Sequence, residues 1–252
     1  MDWNYFWLYL DELKALGVEG FGLFSKDHFI WLGAILIGTI IYTAGYKKCG
    51  EKGRDNMRKF MAIFLLFIEI FKQCVNAFRG IPDGIYLPLE ICSLAEYTIL
   101  FDAFWPDKKP FKDLMAFAFL PAAFMALVMP TASVYPAISF YAFHQLLMHA
   151  GIIAYIVARY VAGEIKPRYI GIWVAVLLIN IAIIPVYYIN SVMGQNYMFL
   201  IKPDGNPVFE VVWNIFGGNG GLLYVLGLEV LVIIVMHIMY GIYRLLGIRK
   251  SH

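Results

Sequence analysis

The chain has 252 residues, of which 61% are hydrophobic, 17% aromatic and only 15% charged, with a formal net charge of +2. Soluble domains run nearer half apolar and about a quarter charged, so a single core of this size would leave a largely apolar surface in water. Lipid is therefore the solvent for most of the chain, which excludes a cytosolic enzyme, a nucleic-acid-binding module and a disordered regulator. Three cysteines, Cys49, Cys74 and Cys92, show no paired spacing, so neither a disulfide framework nor a metal site is implied.

In chain order, WNYFWLYLDELKALG within residues 1–27 sets aromatic and leucine residues at helical spacing around Asp11, Glu12 and Lys14. It reads as a short extracytoplasmic helix lying in the membrane interface. It lacks the basic start and small-residue cleavage site of a signal peptide. A spanning helix needs roughly 20 mostly apolar residues. Seven stretches meet that requirement, at about 28–46, 59–79, 85–104, 111–130, 136–162, 168–190 and 221–245. The expected fold is all-α, a transmembrane domain of seven helices over 28–252 behind the interfacial segment 1–27. No soluble domain, linker or internal repeat is read.

Basic residues set the expected orientation. Alternate loops and the tail hold Lys47, Lys48, Lys52, Arg54, Arg58, Lys59, Lys108, Lys109, Lys112, Arg159, Lys166, Arg168, Arg244, Arg249 and Lys250. The opposite segments hold only Lys14, Lys26, Arg79 and Lys202, and Lys72 falls within a span. Because basic loops are retained in the cytoplasm, the N-terminus is expected outside and the C-terminus inside, in a plasma membrane.

Ionisable groups within hydrocarbon are costly and mark functional candidates. The second span carries Glu69, Lys72, Gln73 and Asn76 on one face, with Glu69 and Lys72 spaced to pair. Glu90, Cys92, Ser93 and Glu96 follow Pro88 in the third, and the fifth holds Tyr141, His144, Gln145 and His149. Asn180 and Asn190 lie in the sixth, Glu229 and His237 in the seventh. In the expected orientation most of these sit near the centre or in the outer half, suited to one cavity open to the extracytoplasmic side. The aromatic, glycine-rich segment 191–221 would cover its mouth. Read singly, each has a bland alternative: Glu69–Lys72 as a structural ion pair, the histidines as interhelical hydrogen bonders, Cys92 as an inert thiol. GGNGG (217–221) reads as a turn and Pro203-Asp204-Gly205 as ordinary turn chemistry.

YLPLEICSLAEY (86–97), SFYAFHQLLMHAGII (139–153), QNYMFLIKP (195–203) and YVLGLEVL (224–231) resemble the YwaF-like integral membrane proteins. Those are multi-pass bacterial proteins, similar in turn to the eukaryotic transmembrane protein 164, described as a lipid acyltransferase using a cysteine and a histidine. The resemblance extends over nearly the whole chain. The block containing Asn196, Tyr197 and Met198 ahead of Lys202-Pro203 is its most specific part. It implies a catalytic histidine at His149. The eukaryotic cysteine corresponds to Leu89, one turn before Cys92 on the same face, and Glu90 stands where a histidine is expected.

The resemblance implies a membrane-embedded acyltransferase or acyl hydrolase of the outer leaflet. Cys92 and His149 would be catalytic, with Glu69, Glu90, Glu96, His144, Gln145, Asn196 and Glu229 around a polar cavity. A transporter of a small solute or protons, with these acids and histidines as a relay, and a non-catalytic membrane sensor remain open alternatives. Membrane lipids are the expected partners, with no nucleic acid, no cofactor and no metal. The sequence leaves the oligomeric state open.

Overall fold

A computed structural model describes residues 3–81, 87–217 and 221–247. Ile85 and Tyr86 of the third expected span, residues 218–220 of the GGNGG turn, and Arg249 and Lys250 of the tail lie outside the described residues. Among the described residues all regular structure is helical: α1 Leu10–Ala15, α2 Lys26–Lys48, α3 Glu51–Phe78, α4 Ile91–Phe104, α5 Lys109–Leu114, α6 Leu120–Val128, α7 Phe140–Val161, α8 Tyr169–Met193, α9 Pro207–Phe216 and α10 Leu222–Leu245. Among the described residues six helices are long and apolar enough to cross a membrane: α2, α3, the run Lys109–Val134 containing α5 and α6, α7, α8 and α10.

Two departures from the sequence reading have local causes. The basic segment expected as a loop before residue 59 is instead the first two turns of α3. There Asp55 pairs with Arg58 at 3.2 Å and with Lys59 at 2.7 Å, the side-chain spacings that stabilise a helix. The third expected span is a shorter helix. Pro88 has no N–H to donate, the Leu89 N–H closes a tight turn on the Leu87 carbonyl at 2.8 Å, and the first helical bond runs from Leu94 to Glu90. The 14 residues of α4 rise about 21 Å, against a hydrocarbon core of roughly 30 Å.

Between α5 and α6 the backbone makes one turn of π-helix, Met115–Phe119. In that register the next N–H, aimed at the Ala116 carbonyl, would come from residue 121, which is proline. The Tyr243 hydroxyl donates to that carbonyl at 2.7 Å and supplies the missing bond.

The chain divides into two compact units, Met1–Lys72 with Ile99–Pro106 and Ala122–Ile165, and Gln73–Thr98 with Asp107–Pro121 and Lys166–His252. In the first, α2 and α7 run parallel. Near the start of α2 the His28 ring donates to the Leu127 carbonyl at the end of α6 at 2.9 Å, and the Trp31 ring to the Ala137 carbonyl just before α7 at 3.1 Å. At the ends of α2 and α7 the Tyr46 hydroxyl donates to Glu164 at 2.8 Å. The α3 helix returns antiparallel, so Arg58 lies at the Tyr46 end and Glu69 at the His144 end. Gly151 lets α3 and α7 approach closely, since a Cβ there would stand 2.8 Å from Leu65 Cδ2.

In the second unit α9 lies on α10, with the Trp213 and Tyr224 rings edge to face at 5.0 Å. A buried apolar cluster of Val186, Tyr197, Leu200, Val212, Tyr224 and Leu228 joins α8, the 194–206 segment, α9 and α10.

Candidate functional site

The first unit gathers its candidates on facing turns of α3 and α7. Glu69, 3% exposed, accepts from the Lys72 ammonium at 2.8 Å and lies 3.3 Å from Nε2 of His144. Helical spacing places Lys72 one turn from Glu69, and antiparallel packing of α3 on α7 brings His144 to the same carboxylate. One turn along α7, buried His149 contacts the Gln145 carbonyl through Nδ1 at 2.7 Å. A carbonyl oxygen only accepts, so Nδ1 carries the proton and Nε2 is left as the basic nitrogen. The Gln145 amide donates to the Thr131 hydroxyl.

The second unit arranges its candidates around irregular backbone. Glu90, just before α4, accepts the Met198 N–H at 2.8 Å, and the Leu87 N–H donates to the Tyr197 hydroxyl at 3.1 Å. Met198 and Phe199 are both left-handed, at φ 57° and 56°, a conformation that L residues hold only when neighbouring bonds fix it. Asn190 supplies two of those bonds: its amide donates to the Tyr197 carbonyl and its oxygen accepts the Tyr197 N–H, both at 2.9 Å. Asn196 closes the far side, accepting from the Ile201 and Lys202 N–H groups at 3.0 and 3.1 Å and donating to the Lys202 carbonyl at 2.9 Å. Burial raises the Tyr197 phenol above its ordinary pKa; the Leu87 N–H works against this and nearby Glu90 adds to it.

The first turns of α4 carry half-buried Cys92, buried Ser93 and, one turn beyond Cys92, Glu96 at 2% exposure. Glu229 on α10 accepts from the Asn180 amide on α8 at 2.8 Å. Among the sequence-predicted residues, Glu69, His144, Gln145 and His149 thus belong to the first unit, and Glu90, Cys92, Glu96, Asn196 and Glu229 to the second. Among the described residues no group of three or more His, Cys, Asp or Glu is arranged to hold a metal.

Sequence reasoning passed over three buried polar groupings. Arg159, counted as a loop cation, is 1% exposed and bonds to Asp102, Glu164 and the Pro106 carbonyl. Arg168 pairs with buried Asp113. Wholly buried His28 is satisfied on both nitrogens, accepting the Phe24 N–H at 3.0 Å and donating to Leu127. The available signal was position: Asp102 lies inside an apolar stretch, and Arg159 precedes the turn residue Gly163 by less than a helical turn and a half.

A helical chain whose described residues include six helices of crossing length, with ionic groups packed among them, is a multi-pass membrane protein. The TMEM164 family matches residues 23–240, most of the chain, and the chain belongs to that family. No curated protein and no solved structure matches it.

Proposed function

We propose that this protein is a YwaF-like lipid acyltransferase or acyl hydrolase of the plasma membrane, acting on the outer leaflet with Cys92 as nucleophile and His149 as base. The observation that carries the reading is the hydrogen bond from His149 Nδ1 to the Gln145 carbonyl. It orients a buried imidazole with Nε2 as the proton acceptor, which a thiol nucleophile requires. Half-buried Cys92 and membership of the TMEM164 family support the same reading.

In the proposed reaction the Cys92 proton passes to His149 Nε2 while Sγ attacks the acyl ester carbonyl. The ester C–O bond breaks, and the leaving lysolipid oxygen takes the proton from His149. A second hydroxyl, from an acceptor or from water, then opens the thioester, and its proton passes through His149 to restore the thiol. Glu90 departs from the expected histidine, and its bond to the Met198 N–H supports a positioning role for it.

The proposed topology has seven crossings, with α4 as the third, the segment containing α1 in the outer interface, the N-terminus outside and the C-terminus in the cytoplasm. Parallel α2 and α7 with antiparallel α3 support the alternation, and the basic residues at the α2–α3 turn support a cytoplasmic end there. A reporter fused after the last residue tests it: cytoplasmic activity is expected, and an external signal would reverse the orientation.

The catalytic test uses full-length protein in liposomes holding acyl-labelled phospholipid. Cys92→Ala and His149→Ala are expected to abolish label transfer and Cys74→Ala to leave it unchanged, all three remaining folded by thermal melting. Undiminished turnover in Cys92→Ala would overturn the reading. The Glu69, Lys72 and His144 cluster favours a second reading, proton-coupled transport through these groups with Glu90, Glu96, His149 and Glu229. Proton flux lost in Glu69→Gln, with no acyl transfer in any variant, would select it.

A further inference from the structure

The basic end of the first unit holds a feature that the acyl chemistry does not use. Three guanidinium groups and one phenol converge on the Glu164 carboxylate. Arg159 Nε donates to it at 2.9 Å and the Tyr46 hydroxyl at 2.8 Å, while Arg58 and Arg54 lie 3.5 and 3.6 Å away. Each arginine is tied elsewhere by its remaining donors. Arg54 bonds to the carbonyls of Tyr46, Cys49 and Lys47 at the end of α2. Arg58 holds Asp55 and the Tyr46 oxygen. Arg159 holds Asp102 and the Pro106 carbonyl. The cradle is therefore fixed by contacts other than those to Glu164, as a preorganised oxyanion receptor is.

Two further observations indicate that Glu164 is a replaceable occupant. Its side chain is 19% exposed while that of Arg159 beneath it is 1% exposed, so the carboxylate closes the mouth of the cradle. It stands on the turn after α7, next to Gly163 at φ 76°, beyond the last helical residue. In addition, Arg58 Nε is buried and makes no hydrogen bond, one more donor than the carboxylate uses. Without Glu164, the group of Arg54, Arg58, Lys59 and Arg159 against Asp55 and Asp102 carries a formal charge of +2. Exposed Lys47, Lys48 and Lys52 flank it.

We propose that Tyr46, Arg54, Arg58 and Arg159 form a phosphate-binding site whose resting occupant is the Glu164 carboxylate. The ligand is a phosphomonoester or phosphate oxyanion, carried by a lipid headgroup or free in solution, which displaces the Glu164 side chain into solvent. A phosphate offers more acceptor oxygens than a carboxylate and matches the forked donors of arginine. Basic residues at a membrane surface raise the local concentration of such anions. The inference is independent of the proposed acyl chemistry.

The test measures binding of three probes to full-length protein in detergent: dioctanoyl phosphatidic acid, inorganic phosphate and dioctanoylglycerol. Glu164→Gln is expected to tighten phosphate-group binding about tenfold by removing a like charge from the site. Arg54→Gln is expected to weaken it about tenfold, and added salt to weaken it in every variant. Dioctanoylglycerol, lacking the phosphate, is expected not to bind. Binding of phosphatidic acid alone identifies a lipid headgroup as the source, and equal binding of inorganic phosphate identifies the free anion. Weaker or unchanged binding in Glu164→Gln, or equal binding of dioctanoylglycerol, would overturn the site and leave Glu164 a structural counter-ion. Should Glu164→Gln fail to fold, Glu164→Asp, whose shorter side chain withdraws from Arg54, carries the same expected sign.

Discussion

The helix pairings of the first unit and the 194–206 region of the second handle buried polarity in different ways. The first uses charge: Glu69 with Lys72 and His144, and Arg159 with Asp102 and Glu164, tie regular helices to one another. The second, around the 194–206 segment, uses shape: Asn190, Asn196 and Glu90 satisfy backbone N–H and C=O groups that no helix satisfies. The difference follows from what each region builds. Straight helices bond their own backbone and leave side chains to pair, whereas an irregular segment packed into a buried cluster persists only where its backbone groups find partners. Neutralising one of those first-unit charges is therefore expected to cost far more than neutralising Glu90 beside the 194–206 segment.

The largest effect is expected at Asp102. Asp102→Asn leaves the buried Arg159 guanidinium short of a counter-charge and also weakens the acceptor of the Tyr155 hydroxyl. A loss of about 3 kcal/mol is expected, read as a fall in detergent melting temperature. The double variant Asp102→Leu with Arg159→Met is expected to recover part of that loss. A double variant worse than Asp102→Asn would show that shape rather than charge governs this region too.

Next comes Asn190→Ala, which strands the N–H of buried Tyr197 and leaves its C=O only the long bond from the Leu200 N–H at 3.4 Å; it is expected to cost about 2 kcal/mol, with faster proteolysis between residues 194 and 206. Gly194 ends α8 in the left-handed conformation at φ 65°, so Gly194→Ala is expected to cost about 1 kcal/mol in the same melting assay. The smallest effect is the sharpest discriminator. Glu90→Gln keeps a side-chain oxygen for the Met198 N–H and is expected to shift stability by less than about 0.5 kcal/mol. A loss near that of Asp102→Asn would erase the distinction between the two regions.

Much of this architecture was legible from hydropathy, because long apolar runs ending in basic residues obey the bilayer's length rule. Apart from the start of α3, the crossing helices fall within a few residues of their expected bounds. Pairing of Glu69 with Lys72 was legible because helical spacing alone specifies it. The His144 contact was not, since it depends on which helix packs against α3. The short start of α4 depends on the turn at Pro88, and the long start of α3 on Asp55 pairing across what reads as a polar loop. Arg159 was misjudged because an arginine at a span's end has the same sequence signature whether it reaches solvent or turns inward to Asp102. Asn190 and Tyr197 act through backbone groups, which side-chain chemistry in a sequence does not reveal.

The central functional claim is that Cys92 carries the acyl group. Full-length protein incubated with a diacyl phospholipid, quenched in acid and digested, is examined by mass spectrometry for the peptide containing Cys92. A hydroxylamine-labile acyl adduct on Cys92 is expected, and its absence from His149→Ala. An unmodified Cys92 peptide in a preparation that turns the lipid over would contradict the account.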